Sequence, residues 1–181
     1  MQPLITGREL SKVLRIHHLP QEVFEGAVVY DLGCGESDLG GELAIRGIHA
    51  SVIGYDQNRQ VIAESQFDNS HTTKVHADLT RLPAEDETAD IVLATYSLPL
   101  WATSPAEIVG FFSEACRAVK TGGVLSVFPT HMVAHWPNDT PETITERHET
   151  ISHEVAKIGI GRWEPLTPNS FSSDTLTVRK I

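Results

Sequence analysis

The stretch "VVYDLGCGESDLGGELAIRG", Val28 to Gly47, decides the fold class, because it joins an apolar run, a glycine loop and a helical pattern in that order. The residues Ala27 to Leu32 are apolar and β-branched and suit a buried strand. Gly33 to Ser37 make the loop, and Asp38 to Arg46 read as a helix stopped by Gly47. Nucleotide-binding loops of this shape usually carry a third glycine near position 37. Ser37 stands there instead. It reads as a polar start to the helix, where serine is a favoured cap, at the cost of backbone freedom beside a ligand.

Outward from this unit the chain alternates strands with helices. Before it, Thr6 and Glu9 have capping-box spacing, and Leu10, Val13, Leu14 and His17 fall on one helical face that Pro20 ends. After it come a strand Ser51 to Tyr55 closed by Asp56, a helix capped by Asn58 and running to about Phe67, and a weaker strand Thr73 to Ala77. A fourth strand, Ala89 to Thr95, precedes a helix from Pro105 to Lys120, with Ser104 as cap and Glu107 completing the box. Gly122 and Gly123 stop that helix and Val124 to Phe128 make a fifth strand. Pro141 to about Ile158 is helical, with Ile144, His148, Ile151 and Val155 on one side. Two last strands lie near Arg162 to Leu166 and Thr175 to Arg179, with a polar turn region between them. This alternation predicts an α/β, Rossmann-like doubly wound three-layer sandwich with a seven-stranded, mostly parallel sheet whose last strand is antiparallel.

Size and composition bound the function. A chain of 181 residues with 40% hydrophobic content suits a single domain: residues 1–26 as a lead-in helix, 27–128 as a ligand-binding core, 129–181 as an acceptor-side segment with the final strands. The first 19 residues carry Arg8, Glu9, Lys12 and Arg15 and do not read as a signal peptide. No apolar run reaches the ~18 residues of a membrane span. Two cysteines, Cys34 and Cys116, make no disulfide framework, so the expectation is a cytoplasmic protein. A net charge of −10 disfavours nucleic acid.

The charges around the loop select its ligand. A pyrophosphate on the helix N-terminus would be repelled by Asp31, Glu36 and Asp38, which opposes a dehydrogenase. A ligand bearing an ammonium or sulfonium group would be attracted by them. Asp56, 21 residues beyond Gly35, is placed to accept hydrogen bonds from a ribose diol. A nucleoside with a cationic tail satisfies both observations.

Here the sequence resembles the class I S-adenosylmethionine-dependent methyltransferases, from about Ala27 to Phe128. "VVYDLGCGES" is similar to their first motif, "VIGYDQN" to the second, "HADLTRLP" to the adenine-side acidic loop, "ADIVLATYSLPLW" to the strand and loop facing the transferred methyl group, and "RAVKTGGVLSV" to the helix end and fifth strand. The resemblance implies S-adenosylmethionine as cofactor and S-adenosylhomocysteine as product. It implies that Asp31 organises the loop and the methionine ammonium, and that Gly33, Cys34, Gly35 and Ser37 form the loop against the cofactor. Asp56 with Gln57 would hold the ribose, Asp78 and Leu79 would face the adenine, and Thr95 and Tyr96 would lie near the reacting centre.

Methyl transfer needs positioning more than a signature triad. His131, three residues past the fifth strand, is the candidate general base, with Tyr96 the other candidate for catalysis. His131, His135, His148 and His153 have no recognised zinc spacing, so no metal is expected. Ser97-Leu98-Pro99-Leu100 departs from the prolyl-prolyl-aromatic motif of nucleobase amino methyltransferases. Trp101, Trp136 and Trp163 suit either core or pocket wall. The expected function is methyl transfer to a small-molecule acceptor. The alternatives are an RNA or protein methyltransferase working with a partner chain, or a non-catalytic cofactor-binding or assembly module. No membrane association is expected, and a protein partner or homodimer fits the absence of an appended recognition domain.

Overall fold

A computed structural model describes residues 9–64, 71–166 and 174–181. The strands are β1 (Val28–Leu32), β2 (Ser51–Asp56), β3 (Thr72–His76), β4 (Ala89–Thr95), β5 (Val119–Phe128), β6 (Trp163–Pro165) and β7 (Leu176–Lys180). They form one sheet in the order β3-β2-β1-β4-β5-β7-β6. Strands β1 to β5 pair in parallel, and β7 runs antiparallel to both β5 and β6. The direction of winding therefore reverses between β1 and β4, which opens a crevice at the carboxyl ends of the strands.

The helices are α1 (Leu10–His17), α2 (Leu39–Ile45), α3 (Arg59–Glu64), the single turn α4 (Leu98–Trp101), α5 (Pro105–Ala118) and α6 (Pro141–Ile160). Alternate residues of the strands feed two cores. Val29, Val52, Ile91, Leu93 and Val124 pack with Leu10 and Val13 of α1 and Leu39 and Leu43 of α2. On the opposite face Tyr30, Leu32, Val92 and Leu125 pack with Ile108, Phe111, Phe112 and Ala115 of α5 and Ile151 of α6. Burial on both faces explains why the strands read as continuous apolar runs.

Several expectations are corrected. Thr6, residues 65–67 of the expected third helix and the turn region 167–173 lie outside the described residues. Helix α1 begins at Leu10 with Glu9 at its N-cap. Ser37 does not cap α2: the helix starts at Leu39, so the cap position falls on Asp38, whose Oδ1 accepts from Gly41 N (3.1 Å) and Thr72 Oγ1 (2.8 Å). Gly122 and Gly123 do not terminate α5. The helix ends at Ala118, and both glycines lie inside β5, where the register slips between Ala89↔Val119 and Ile91↔Val124. Gly122 takes φ +82°, and a Cβ on Gly123 would meet Asp90 O at 2.8 Å, as an irregular strand pressed against its neighbour requires.

The buried stripe of α6 is also shifted. Arg147, Ile151, Glu154 and Ile158 are buried, whereas His148 is only half-buried. A buried arginine at the head of this stripe is invisible to a hydrophobicity pattern. On α1, His17 is fully buried; its ring nitrogens are hydrogen-bonded with Ser126 Oγ (2.7 Å) and Thr95 Oγ1 (2.8 Å), and Thr177 Oγ1 donates to the His17 carbonyl (2.8 Å). This polar network ties α1 to β4, β5 and β7, and buried polar groups persist when they are satisfied in this way.

Candidate active site

The end of β1 turns sharply because Gly33 (φ +74°) and Gly35 (φ +54°) adopt left-handed conformations that other residues take at a cost. The turn is tied to the end of β2: Gly33 N and Cys34 N donate to Tyr55 O at 2.7 and 3.2 Å, and Gly35 N donates to Asp56 Oδ2 at 2.9 Å. Cys34 is buried against β2, where Gly54 makes room; a Cβ on Gly54 would lie 2.7 Å from Cys34 Sγ. Asp31 is buried at the end of β1 below the loop. Ser37 N closes the loop onto Cys34 O (3.0 Å), and the buried Ser37 Oγ has no hydrogen-bond partner among the described residues.

Gly33, Gly35, Asp56, Gln57, Asn58, Val61, Leu79, Tyr96, Ser97, Leu98 and Trp101 line a cleft of about 320 Å³. A volume of this order falls at the lower end of small-molecule sites, roughly 300–1,000 Å³. A broader groove lined by His76, Asp78 and Arg59 shares Gln57 and Asn58 with it. The structure thus brings six of the sequence-derived site residues to one cleft, namely Gly33, Gly35, Asp56, Gln57, Leu79 and Tyr96. Asp78 stands in the adjoining groove, with Oδ1 accepting from Thr80 N (2.8 Å) and Thr80 Oγ1 (2.7 Å). Those bonds hold its carboxyl below the usual range.

Other residues go elsewhere. The Thr95 hydroxyl is directed to the buried His17, not to the cleft lining. His131 is exposed, pairs through Nδ1 with Asp174 Oδ1 at 3.2 Å, and does not line the cleft. Two features escaped sequence reading. Lys74 of β3 donates from Nζ to Gly35 O (3.0 Å), bringing a cation among the acidic residues of the loop; burial lowers its pKa, while Cys34, Asp38, Asp31 and Glu36 oppose that shift. Ser97 is buried, lines the cleft, and its Oγ has no hydrogen-bond partner among the described residues. The sequence marks it within Ser97-Leu98-Pro99-Leu100, after the strand that faces the reacting centre, but assigns its hydroxyl no role.

The far wall is aromatic. Tyr96 sits at φ +51°, its N–H donating to Phe128 O (2.7 Å) and its ring edge-on to Phe128 at 5.2 Å. Trp101 Nε1 donates to Tyr96 O (2.7 Å) and Trp136 Nε1 to Ala102 O (3.4 Å), with the two indole centroids 6.4 Å apart. Beneath them the buried Arg147 donates to Ala102 O (2.6 Å) and pairs with Asp139. Asp139 also accepts from Trp136 N (2.6 Å), and this bond with the Arg147 pair keeps its carboxyl below the usual range despite partial desolvation.

These donors and acceptors fit a sulfonium nucleoside. The Asp56 oxygens each accept one backbone N–H, from Gly35 and Asn58, and each retains capacity for a hydroxyl. Gly35 lines the cleft, and a Cβ there would meet no protein atom within 4 Å, so the loop is uncrowded at this point. A family model described as a methyltransferase domain matches residues 29–123, just over half of the chain, which therefore belongs to the class I S-adenosylmethionine-dependent methyltransferases. S-adenosylmethionine is the cofactor that this family implies. The chain is 35% identical over 106 residues to malonyl-[acyl-carrier protein] O-methyltransferase from Marinomonas sp., covering 57% of this chain and 37% of that protein. It is 28% identical over 134 residues to sterol 24-C-methyltransferase from Aspergillus fumigatus, covering 70% of this chain and 34% of that one. It thus spans about a third of these curated relatives. The crystal structure of the PH0226 protein from Pyrococcus horikoshii shares the fold at a TM-score of 0.64 and 17% identity, covering 98% of this chain and 93% of the other. Among the described residues no helix is long and apolar enough to cross a membrane.

Proposed function

We propose that this chain transfers a methyl group from S-adenosylmethionine to a small-molecule acceptor. The observation that carries the reading is the convergence on one cleft of the glycine loop, the Asp56 carboxylate, Leu79 and Tyr96. When bound, the cofactor supplies a methyl group already activated for in-line displacement. Gly33 and Gly35 admit it against bare backbone, while Asp31, Cys34 and Ser37 set the shape of the loop. Asp56 and Gln57 take the ribose hydroxyls. Leu79 provides an apolar face for the adenine, with Asp78 at its edge. Ser97 Oγ, buried beside Gly33, supplies a hydroxyl to whichever polar group enters there.

Tyr96 is the residue we place at the reacting centre, since it lines the cleft and the backbone holds it in a sparsely populated conformation. Thr95, the residue before it, anchors the end of β4 through its hydrogen bond with the buried His17. His131 remains the candidate base, its ring oriented by Asp174. Net acidity argues against a nucleic-acid acceptor.

Calorimetry with S-adenosylhomocysteine tests this reading. Binding is expected, and Asp56→Ala should weaken it by the worth of a charge-assisted hydrogen bond, about 1.5 to 3 kcal/mol. Binding of NAD with no response to either sulfur nucleoside would overturn the assignment. Production of S-adenosylhomocysteine over a panel of phenols, thiols, amines and carboxylic acids then identifies the acceptor.

A further inference from the structure

Among the described residues, seven large apolar side chains stand exposed, and four of them, Tyr96 (43%), Trp101 (49%), Met132 (47%) and Trp136 (39%), belong to the segments that follow β4 and β5. Two of these, Tyr96 and Trp101, line the cleft, and Trp136 packs on Trp101. Exposed apolar surface concentrated at one site marks a binding surface.

Resting on the methyltransferase reading above, we propose that Tyr96, Trp101 and Trp136 form the acceptor subsite, and that it takes a planar aromatic small molecule that is neutral or anionic. Both indole N–H groups are already spent on backbone carbonyls, Trp101 on Tyr96 O and Trp136 on Ala102 O. The rings therefore offer π faces and apolar edges rather than hydrogen bonds, which recognise a flat apolar body. The same hydrogen bonds, with Arg147 on Ala102 O, fix the rings in place before a ligand arrives, so little ordering entropy is lost on binding. Lys12 of α1 carries its Nζ 5.9 Å from the Tyr96 ring centroid. The sulfonium of the cofactor brings a positive charge to the reacting centre beside Tyr96 and Lys12 adds another, so a further cation on the acceptor is disfavoured and a phenol or aromatic acid favoured. The wall adjoins the cofactor cleft and consists of three rings, an extent that suits a small molecule rather than the broad interface of a docked protein.

The test is calorimetry with 2-naphthol as probe, with and without saturating S-adenosylhomocysteine. The unmodified protein should bind it. Trp101→Ala should weaken binding at least tenfold and Trp136→Ala several-fold, Trp101→Phe should restore most of the affinity, and in Trp136→Ala, whose ring is not part of the cofactor cleft lining, S-adenosylhomocysteine binding should change by less than twofold. A naphthylmethylammonium probe should bind more weakly than 2-naphthol. Naphthol affinity indifferent to Trp101→Ala, or tighter binding of the ammonium probe, would overturn the proposal. So would light scattering that shows a dimer dissociated by Trp101→Ala, which would make the rings a self-association surface. Failure to bind sulfur nucleosides alongside tryptophan-dependent naphthol binding would count against the methyltransferase reading and leave the aromatic site standing.

Discussion

The two walls of the cleft are held by different means. On the cofactor side the fastening is backbone to backbone or to the nearest strand end: Gly33 N and Cys34 N on Tyr55 O, and Gly35 N on Asp56. On the acceptor side indole and guanidinium donors do most of the fastening. Trp136 Nε1 and Arg147 both reach Ala102 O, 34 and 45 residues away in sequence, and Ala134 N donates to Leu100 O at 2.6 Å. The first wall is specified by conformations that few residues can adopt. The second is specified mainly by side-chain partners brought together by the assembled sheet, and it meets the first where Ser97 packs against Gly33, so away from position 97 it can vary without disturbing the first.

The largest expected effect separates two glycines within the cofactor wall. Gly33→Ala faces both a left-handed backbone, about 1 to 2 kcal/mol, and a Cβ 2.9 Å from Ser97 Cβ, where overpacking adds about 1 to 3 kcal/mol. Gly35→Ala meets nothing within 4 Å and should lose only the conformational part in urea denaturation. Equal losses of stability would break the claim that Gly33 is fixed by packing as well as by φ. Next comes Arg147→Met. Losing its charged hydrogen bond to Ala102 O should cost about 1.5 to 3 kcal/mol. Tryptophan emission should shift as the acceptor wall loosens, with S-adenosylhomocysteine affinity unchanged within twofold. A parallel loss of nucleoside binding would show that the walls are not independent.

The smallest effect is in pH. Arg117 hydrogen bonds, with a backbone N–H from Leu82, hold the Glu114 carboxyl below its usual range in the folded protein, against partial desolvation. The unfolded chain therefore takes up that proton first. The stabilisation is complete above the unfolded value of about 4.3 and is lost as pH falls through the lower folded value. Glu114→Gln should flatten the fall in stability over that acidic interval. Because glutamine keeps a side-chain oxygen to accept from Leu82 N, nucleoside affinity at neutral pH should not move.

This contrast also explains what could be read from the residues alone. The succession of strands and helices along the chain follows from alternating apolar runs and glycine punctuation, and the cofactor wall follows from spacing, because Gly35 and Asp56 are near neighbours through one strand pair. Local chemistry misled where two residues competed for one role. Asp38 and Ser37 are both good caps, and the choice fell on the one adjacent to Leu39, which also collects Thr72 from β3. Gly122 and Gly123 suit a helix stop and a strand bulge equally, and only the register against β4 decides between them. The face to which Thr95 turns, the burial of Arg147 and the approach of Lys74 to Gly35 depend on tertiary neighbours that no period in the sequence encodes.

The contact between Gly33 and Ser97 sets a rule for engineering this scaffold. The loop after β4 is the natural place to graft a new acceptor specificity, yet its first buried residue presses on the bare Cα of the cofactor turn. A graft should therefore keep a small side chain at position 97 and a glycine at 33 as a matched pair, and place its diversity from position 98 onward.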